Sequence, residues 1–206
     1  MRGSRQARIF AALGAAAALL APRAEAHLVT TGLGPVYDGI GHFCLSPEDV
    51  LPAIALALLA GERGSRAGRR ALFLLPLAWV GGGLASLATQ LPELSGEAAA
   101  ALSFLLLGVL VAIDGRLPSG TVAALAVGLG GVHGFYNGLA MRAAGTGAAT
   151  LQLTGIGVVL FVLVALVAAW VVSLRRAWGR ILVRVAGSWI AAMGLLLLGW
   201  TFRLKR

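Results

Sequence analysis

Six apolar blocks, at 47–60, 71–90, 98–113, 121–141, 151–173 and 181–202, follow one another along the chain with short polar stretches between them. A helix needs about 20 mostly apolar residues to cross a bilayer, so the pattern predicts an all-α, polytopic membrane bundle of six transmembrane helices. No fixed-period repeat is visible, and no linker is long enough to separate domains. The first block has a marked beginning: Ser46 suits an N-cap, Pro47 the first helical position, and Glu48 and Asp49 the first turn, where the helix dipole favours acids. A helix that starts at Pro47 makes 38–45 a separate outer or re-entrant piece folded against the bundle. Such a piece is tolerated at membrane depth where protein or a wet cavity covers it. Pro52, in the next turn, predicts a kink.

A shorter apolar run precedes these blocks. Arg2, Arg5 and Arg8, the stretch 9–21, and Ala24, Glu25 and Ala26 have the charged, apolar and small-residue parts of a secretory signal peptide. Residues 1–26 are therefore expected to be removed, leaving His27 at the N-terminus of a single six-helix domain, 27–206. The alternative is an uncleaved anchor helix, for which about 13 apolar residues are few against the ~20 a span needs. Glycines crowd the spans: Gly81, Gly82, Gly83, Gly128, Gly130, Gly131, Gly134 and Gly138 lie close to polar positions. Small faces let membrane helices approach closely, which brings a polar side chain on one helix within reach of the next.

Composition agrees with a membrane protein: 59% of residues are apolar and 12% charged, and the mean hydropathy is +0.89. The net charge of +9 does not imply nucleic acid, because the arginines fall in short clusters between spans with no basic stripe and interleaved aromatics. Arg63, Arg66, Arg69 and Arg70 follow the first span, Arg116 the third, and Arg175, Arg176, Arg180 and Arg184 surround the loop after the fifth. The positive-inside rule places all of them on the inner side, with the mature N-terminus outside. This predicts a multi-pass protein of the bacterial inner membrane with a periplasmic N-terminus. The terminal Arg203, Lys205 and Arg206 conflict with that arrangement, since six spans put them outside. The single cysteine, Cys44, rules out an intrachain disulfide and reads as a small buried filler.

Candidate chemistry sits in two polar clusters. In the first, His42 lies four residues after Asp38, on the same face of a helix, and Glu48 and Asp49 follow closely. Four such groups within twelve residues offer hard oxygens and an imidazole nitrogen together, a mixture that suits Ni²⁺, Co²⁺ or Zn²⁺. The same residues also have bland readings: Glu48 and Asp49 as capping acids, His42 as an interfacial histidine bonded to a carbonyl. In the second cluster His133 and Asn137 are four residues apart and stack on one face of the fourth span, toward its outer half. An imidazole inside a span is costly and marks a functional site by default, the bland alternative being a packing histidine. Gln152, near the outer end of the fifth span, reads as an interhelical hydrogen-bonding residue, with a further carbonyl ligand as the alternative, and Asp114 as a solvated residue at the inner end of the third or the mark of an exit. Catalysis is not expected. A hydrolase needs a nucleophile paired with a base, and neither Ser46 nor Cys44 has one at helical spacing, Cys44 being two residues from His42.

With its signal peptide, outer histidine, acid pair opening a helix, later span carrying His133 and Gly134, and six spans in all, the chain resembles the HupE/UreJ family of membrane proteins. Members of that family often carry H-x-x-x-G-x-D-H-L-L. Counting from His42, the acid of that pattern falls on Glu48 and its second histidine on Asp49, while the later His-Gly signature matches His133 and Gly134, followed by Gly138. The resemblance implies nickel as the cargo and urease or hydrogenase as the enzyme supplied. The expected function is then a permease that binds a divalent transition metal, nickel first and cobalt, zinc or copper as alternatives, with no tightly bound cofactor. His42 and His133 would donate nitrogen, Asp38, Glu48 and Asp49 would supply charge, and Asn137 would orient a ligand or bind through its carbonyl. Expected partners are the metal, the bilayer, metalloenzyme-maturation proteins and further copies of the chain. The alternative function is a membrane scaffold for metalloenzyme assembly that transports nothing.

Overall fold

The computed structural model of the protein describes residues 30–203 except 93, 116 and 175. The signal peptide expected over 1–26 and the new terminus at His27 lie outside the described residues. Seven helices account for the described chain: α1 (Pro35–Leu45), α2 (Pro47–Glu62), α3 (Ser65–Leu87), α4 (Glu97–Ala112), α5 (Ser119–Met141), α6 (Thr146–Ser173) and α7 (Ala177–Arg203).

The break between α1 and α2 follows from one proline. Pro47 disfavours helical backbone at the preceding residue, and Ser46 adopts φ −101° and ψ 90°. The two helices therefore meet at 77°, and α1 is the separate piece that the sequence predicts. Ser46 stands at the N-cap position, but its side chain makes no capping bond; its carbonyl accepts from the amides of Asp49 and Val50, and its own amide donates back to the Phe43 carbonyl. α1 lies against α6, and Gly39 is the contact that permits it, because a Cβ there would run into the backbone of Gln152.

α2 is short yet central. Ten of its sixteen residues are buried, because it touches each of α3, α4, α5, α6 and α7. Around it the bundle consists of two tight pairs, α3 with α5 and α4 with α7, while α6 closes the remaining side against α1, α2 and α3. The outward faces are apolar: Leu196 and Trp189 of α7 are 75% and 70% exposed. Water would penalise so large an apolar surface, whereas hydrocarbon does not.

Four helices, α3, α5, α6 and α7, are long and apolar enough to cross a membrane, and α1 with α2 makes a fifth if the bent pair is one broken span. α4 is a shorter apolar helix. The expected spans are thus all present as helices, with shifted ends. α3 starts at Ser65, so Arg66, Arg69 and Arg70 stand on its first turns and not in a loop. α6 and α7 likewise begin ahead of their apolar blocks. Backbone hydrogen bonding continues a helix past the point where hydropathy falls, and long arginine side chains carry their charge out to the interface.

Charge separates the two ends of the bundle. At one end Asp114, just past α4, accepts hydrogen bonds from Arg63 and from Arg180 (2.7 Å), tying together the ends of α2 and α4 and the first turn of α7. Asp114 is therefore ion-paired and not merely solvated. Burial by itself pushes its carboxyl up, but the hydrogen bonds from the two arginines outweigh that and hold it below the usual carboxylate range. At the other end Arg142 donates to the carbonyls of Leu91 (2.6 Å) and Ser86 (2.7 Å), fastening the C-terminal end of α5 to the end of α3 and the loop after it.

Candidate functional site

A cavity of about 520 Å³ opens at the end away from the Arg63 and Asp114 cluster. His42 of α1, Glu48 and Asp49 of α2, Glu97 of α4, and His133 and Asn137 of α5 supply its polar wall. Leu197, Trp200 and Thr201, in the last turns of α7, complete the rim. The C-terminal end of α7 therefore lies beside the cavity, and the conflicting Arg203 belongs to that end.

The centre of the site is a three-residue network. Asp49 occupies the first turn of α2, and its carboxylate reaches across to α5. His133 donates from Nδ1 to Asp49 Oδ1 (2.8 Å), and Asn137 donates from Nδ2 to Oδ2 (2.9 Å). Asn137 also donates to the His133 carbonyl (3.0 Å), so its amide bridges the two residues. A carboxylate only accepts, which places a hydrogen on Nδ1 of His133, so that in the neutral imidazole Nε2 is the nitrogen with the lone pair. Nε2 in turn lies 3.0 Å from Ser103 Oγ of α4, a hydroxyl that also reaches the Ala99 carbonyl (2.7 Å). The one hydroxyl hydrogen serves either acceptor.

Packing fixes the imidazole as firmly as these bonds do. The Trp79 ring of α3 lies 5.3 Å from that of His133 at an interplanar angle of 37°, and Phe43 of α1 meets Trp79 edge-on at 5.9 Å. Gly134 makes this approach of α3 and α5 feasible. A Cβ at Gly134 would collide with the Trp79 carbonyl, and one at Gly138 with Ser86 and Gly83. Gly134, next to His133 in sequence, is the surface on which Trp79 comes up to the ring, and Gly138 continues the close approach one turn on.

Five of the six sequence-derived candidates, His42, Glu48, Asp49, His133 and Asn137, line the one cavity. The sixth does not. Asp38 is turned to the preceding segment, where its Oδ1 accepts from the Thr31 amide (2.6 Å) and hydroxyl (2.7 Å). Among the described residues, no three His, Cys, Asp or Glu side chains converge as a ready-made metal site. Cys44, expected to be buried, is exposed at the end of α1. Gln152 is buried as an interhelical residue would be, but its Oε1 has no hydrogen-bond partner among the described residues.

Several participants escaped the sequence reading. Ser103 and Trp79 sit inside ordinary apolar spans, with no motif around them. Glu97 opens α4 beside the cavity as an acid in a first turn, the same signal that Glu48 gives at the start of α2.

The fold and the cavity together define a polytopic helical membrane protein whose buried polar groups converge at one end of the bundle. Residues 15–197 match the family model described as HupE / UreJ protein. The chain belongs to that family. Comparison with curated proteins and with solved structures gave no match.

Proposed function

We propose that this protein is a permease for a divalent transition-metal ion, nickel in the first instance, serving urease or hydrogenase maturation. The observation that carries the reading is the convergence on one cavity of two histidines, three carboxylates and an amide from four helices, in a chain that belongs to the HupE/UreJ family. Ionisable and polar groups inside a membrane bundle are costly and tend to be kept for function.

In this reading Asp49 is an orienting residue and not a ligand. By accepting the Nδ1 hydrogen it presents His133 Nε2 as the nitrogen donor, the arrangement in which a carboxylate behind an imidazole strengthens it as a ligand. Ser103 Oγ, now against Nε2, is displaced or becomes an oxygen donor when the cation arrives. His42, Glu48 and Glu97 draw the cation into the cavity and complete its shell together with water. A site of few protein donors is what conduction needs, since binding must be weak enough to release. The cavity end would face the periplasm of a bacterial inner membrane and the basic end the cytoplasm, in keeping with the positive-inside rule. No catalytic step and no tightly bound cofactor belong to this reading.

The test is nickel uptake by cells expressing the protein against cells expressing the His42→Ala, His133→Ala double variant at equal membrane abundance. Uptake should fall to background in the variant; equal uptake would end the permease reading. One observation favours a second reading, a non-transporting scaffold for metalloenzyme assembly: Asp49 and His133 already satisfy one another, as a structural network does. Recovery of a stable maturation partner without metal, and unchanged in the double variant, would favour the scaffold.

A further inference from the structure

The helix that carries Asp49 at its outer end carries a second buried carboxylate at its inner end. Glu62 is the last residue of α2, thirteen positions after Asp49, which is about 20 Å along a helix axis. Its side chain is 4% exposed, and among the described residues neither carboxylate oxygen has a hydrogen-bond partner. Its nearest cation is the guanidinium of the adjacent Arg63, with Nη2 at 3.7 Å from Oε2, too long for a hydrogen bond. That same Nη2 bonds Oδ1 of Asp114. The Arg63 side chain is 11% exposed, so its guanidinium lies mostly covered between carboxylates from two different elements. Asp114 does not depend on it alone, because Arg180, 63% exposed, holds the other oxygen at 2.7 Å.

We propose that Glu62 and Asp114 form a second divalent-cation site at the basic end of the bundle, filled in this conformation by the Arg63 guanidinium, from which the cargo is released. The proposal rests on the permease reading for the word cargo, but the site itself is argued from the geometry of this end alone. Two carboxylates aimed at one position form a place for positive charge, and here a side chain tethered to the same helix supplies it. When Arg63 swings toward solvent, Arg180 keeps Asp114 in place and the gap between the carboxylates opens. The chemistry suits release. Late transition metals favour nitrogen over carboxylate oxygen, so an oxygen-only site holds nickel less tightly than the imidazole of the outer cavity. Binding along the path then weakens inward, and the returning guanidinium expels the ion and closes the route.

The experiment is a nickel-binding isotherm with Ni²⁺ alone on the purified full-length protein. Arg63→Gln should bind one equivalent more than the unaltered protein, and adding Glu62→Gln to that chain should abolish the gain. Arg66→Gln removes the same charge from an exposed position on α3 and should gain nothing. An Arg63→Gln protein with no extra equivalent, or a gain that survives Glu62→Gln or is matched by Arg66→Gln, overturns the proposal. His133→Ala, measured alongside, reports on the outer cavity only, so failure of the permease reading is seen separately. Should Arg63→Gln not fold, the single Glu62→Gln variant decides: loss of nickel uptake with His133-dependent binding intact supports the site, and uptake at the unaltered rate refutes it.

Discussion

Asp49 shows how little the type of a residue says about its task. In sequence it is an acid in the first turn of a helix, a position the helix dipole rewards without any ligand, and by resemblance it stands where a second histidine is expected. In the folded chain it accepts from His133 and Asn137 on another helix. Asp49→Ala should strand both donors in a buried place, at about 1–3 kcal/mol each, and should release the imidazole from its fixed tautomer. The expected outcome is a lower unfolding temperature in detergent together with weaker nickel binding; binding at full strength would show that the imidazole needs no orienting partner. Ser103→Ala tests the other side of the ring. If Nε2 is the donor and the hydroxyl competes for it, the variant binds nickel more tightly at unchanged stability. If Ser103 is itself a ligand, affinity falls. His133 was legible because an imidazole inside an apolar run stands out, whereas Ser103 and Trp79 were not, since a small hydroxyl or an indole in a span has many ordinary uses.

Helices are where the pattern of apolar positions spoke most directly. Each expected span is a helix, and the break at Ser46 and Pro47 was readable because proline constrains its neighbour whatever surrounds it. The angle of that break and the choice of α6 as the surface for α1 were not readable, because both depend on how Gly39 and Gly155 fit the facing backbone. The α3 and α5 pair gives a prediction of its own. Gly134→Ala places a methyl group against the Trp79 carbonyl, and overpacking of this kind costs about 1–3 kcal/mol. Thermal stability should fall and nickel affinity with it, because the two helices must part and the ring loses its Trp79 wall. Gly128→Ala, on the same helix with open space at its Cβ, should do neither.

At the scale of the whole molecule the two ends differ in kind, one a polar cavity and the other an arginine-rich clasp. Cys44, the only cysteine, is exposed at the end of α1, two residues from the cavity-lining His42, and is a native reporter of orientation. A membrane-impermeant maleimide added to intact spheroplasts should label it; labelling only after lysis would invert the proposed topology. The clasp has its own pH signature. Because Asp114 is held below the usual carboxylate range, its ionised form favours the folded state. That contribution is complete above the unfolded carboxyl value and is lost as pH falls through the lower folded one. Unfolding curves of the unaltered protein and of Asp114→Asn should therefore differ at neutral pH and converge as pH drops below about 4. Sequence by itself determined that the chain is a bundle of membrane helices, where most of them lie and which loops gather positive charge, because hydropathy, proline and arginine act locally on the backbone and at the interface. Only the tertiary structure decided that Asp49 serves His133, that Asp38 faces Thr31 instead, and that Glu62 meets the Arg63 and Asp114 clasp. The Asp49 and Asp114 pairings join elements 84 and 51 residues apart in sequence, and the Asp38 bond, though only seven residues long, depends on the path of a segment without regular structure, so neither leaves a local trace of which side chains will meet.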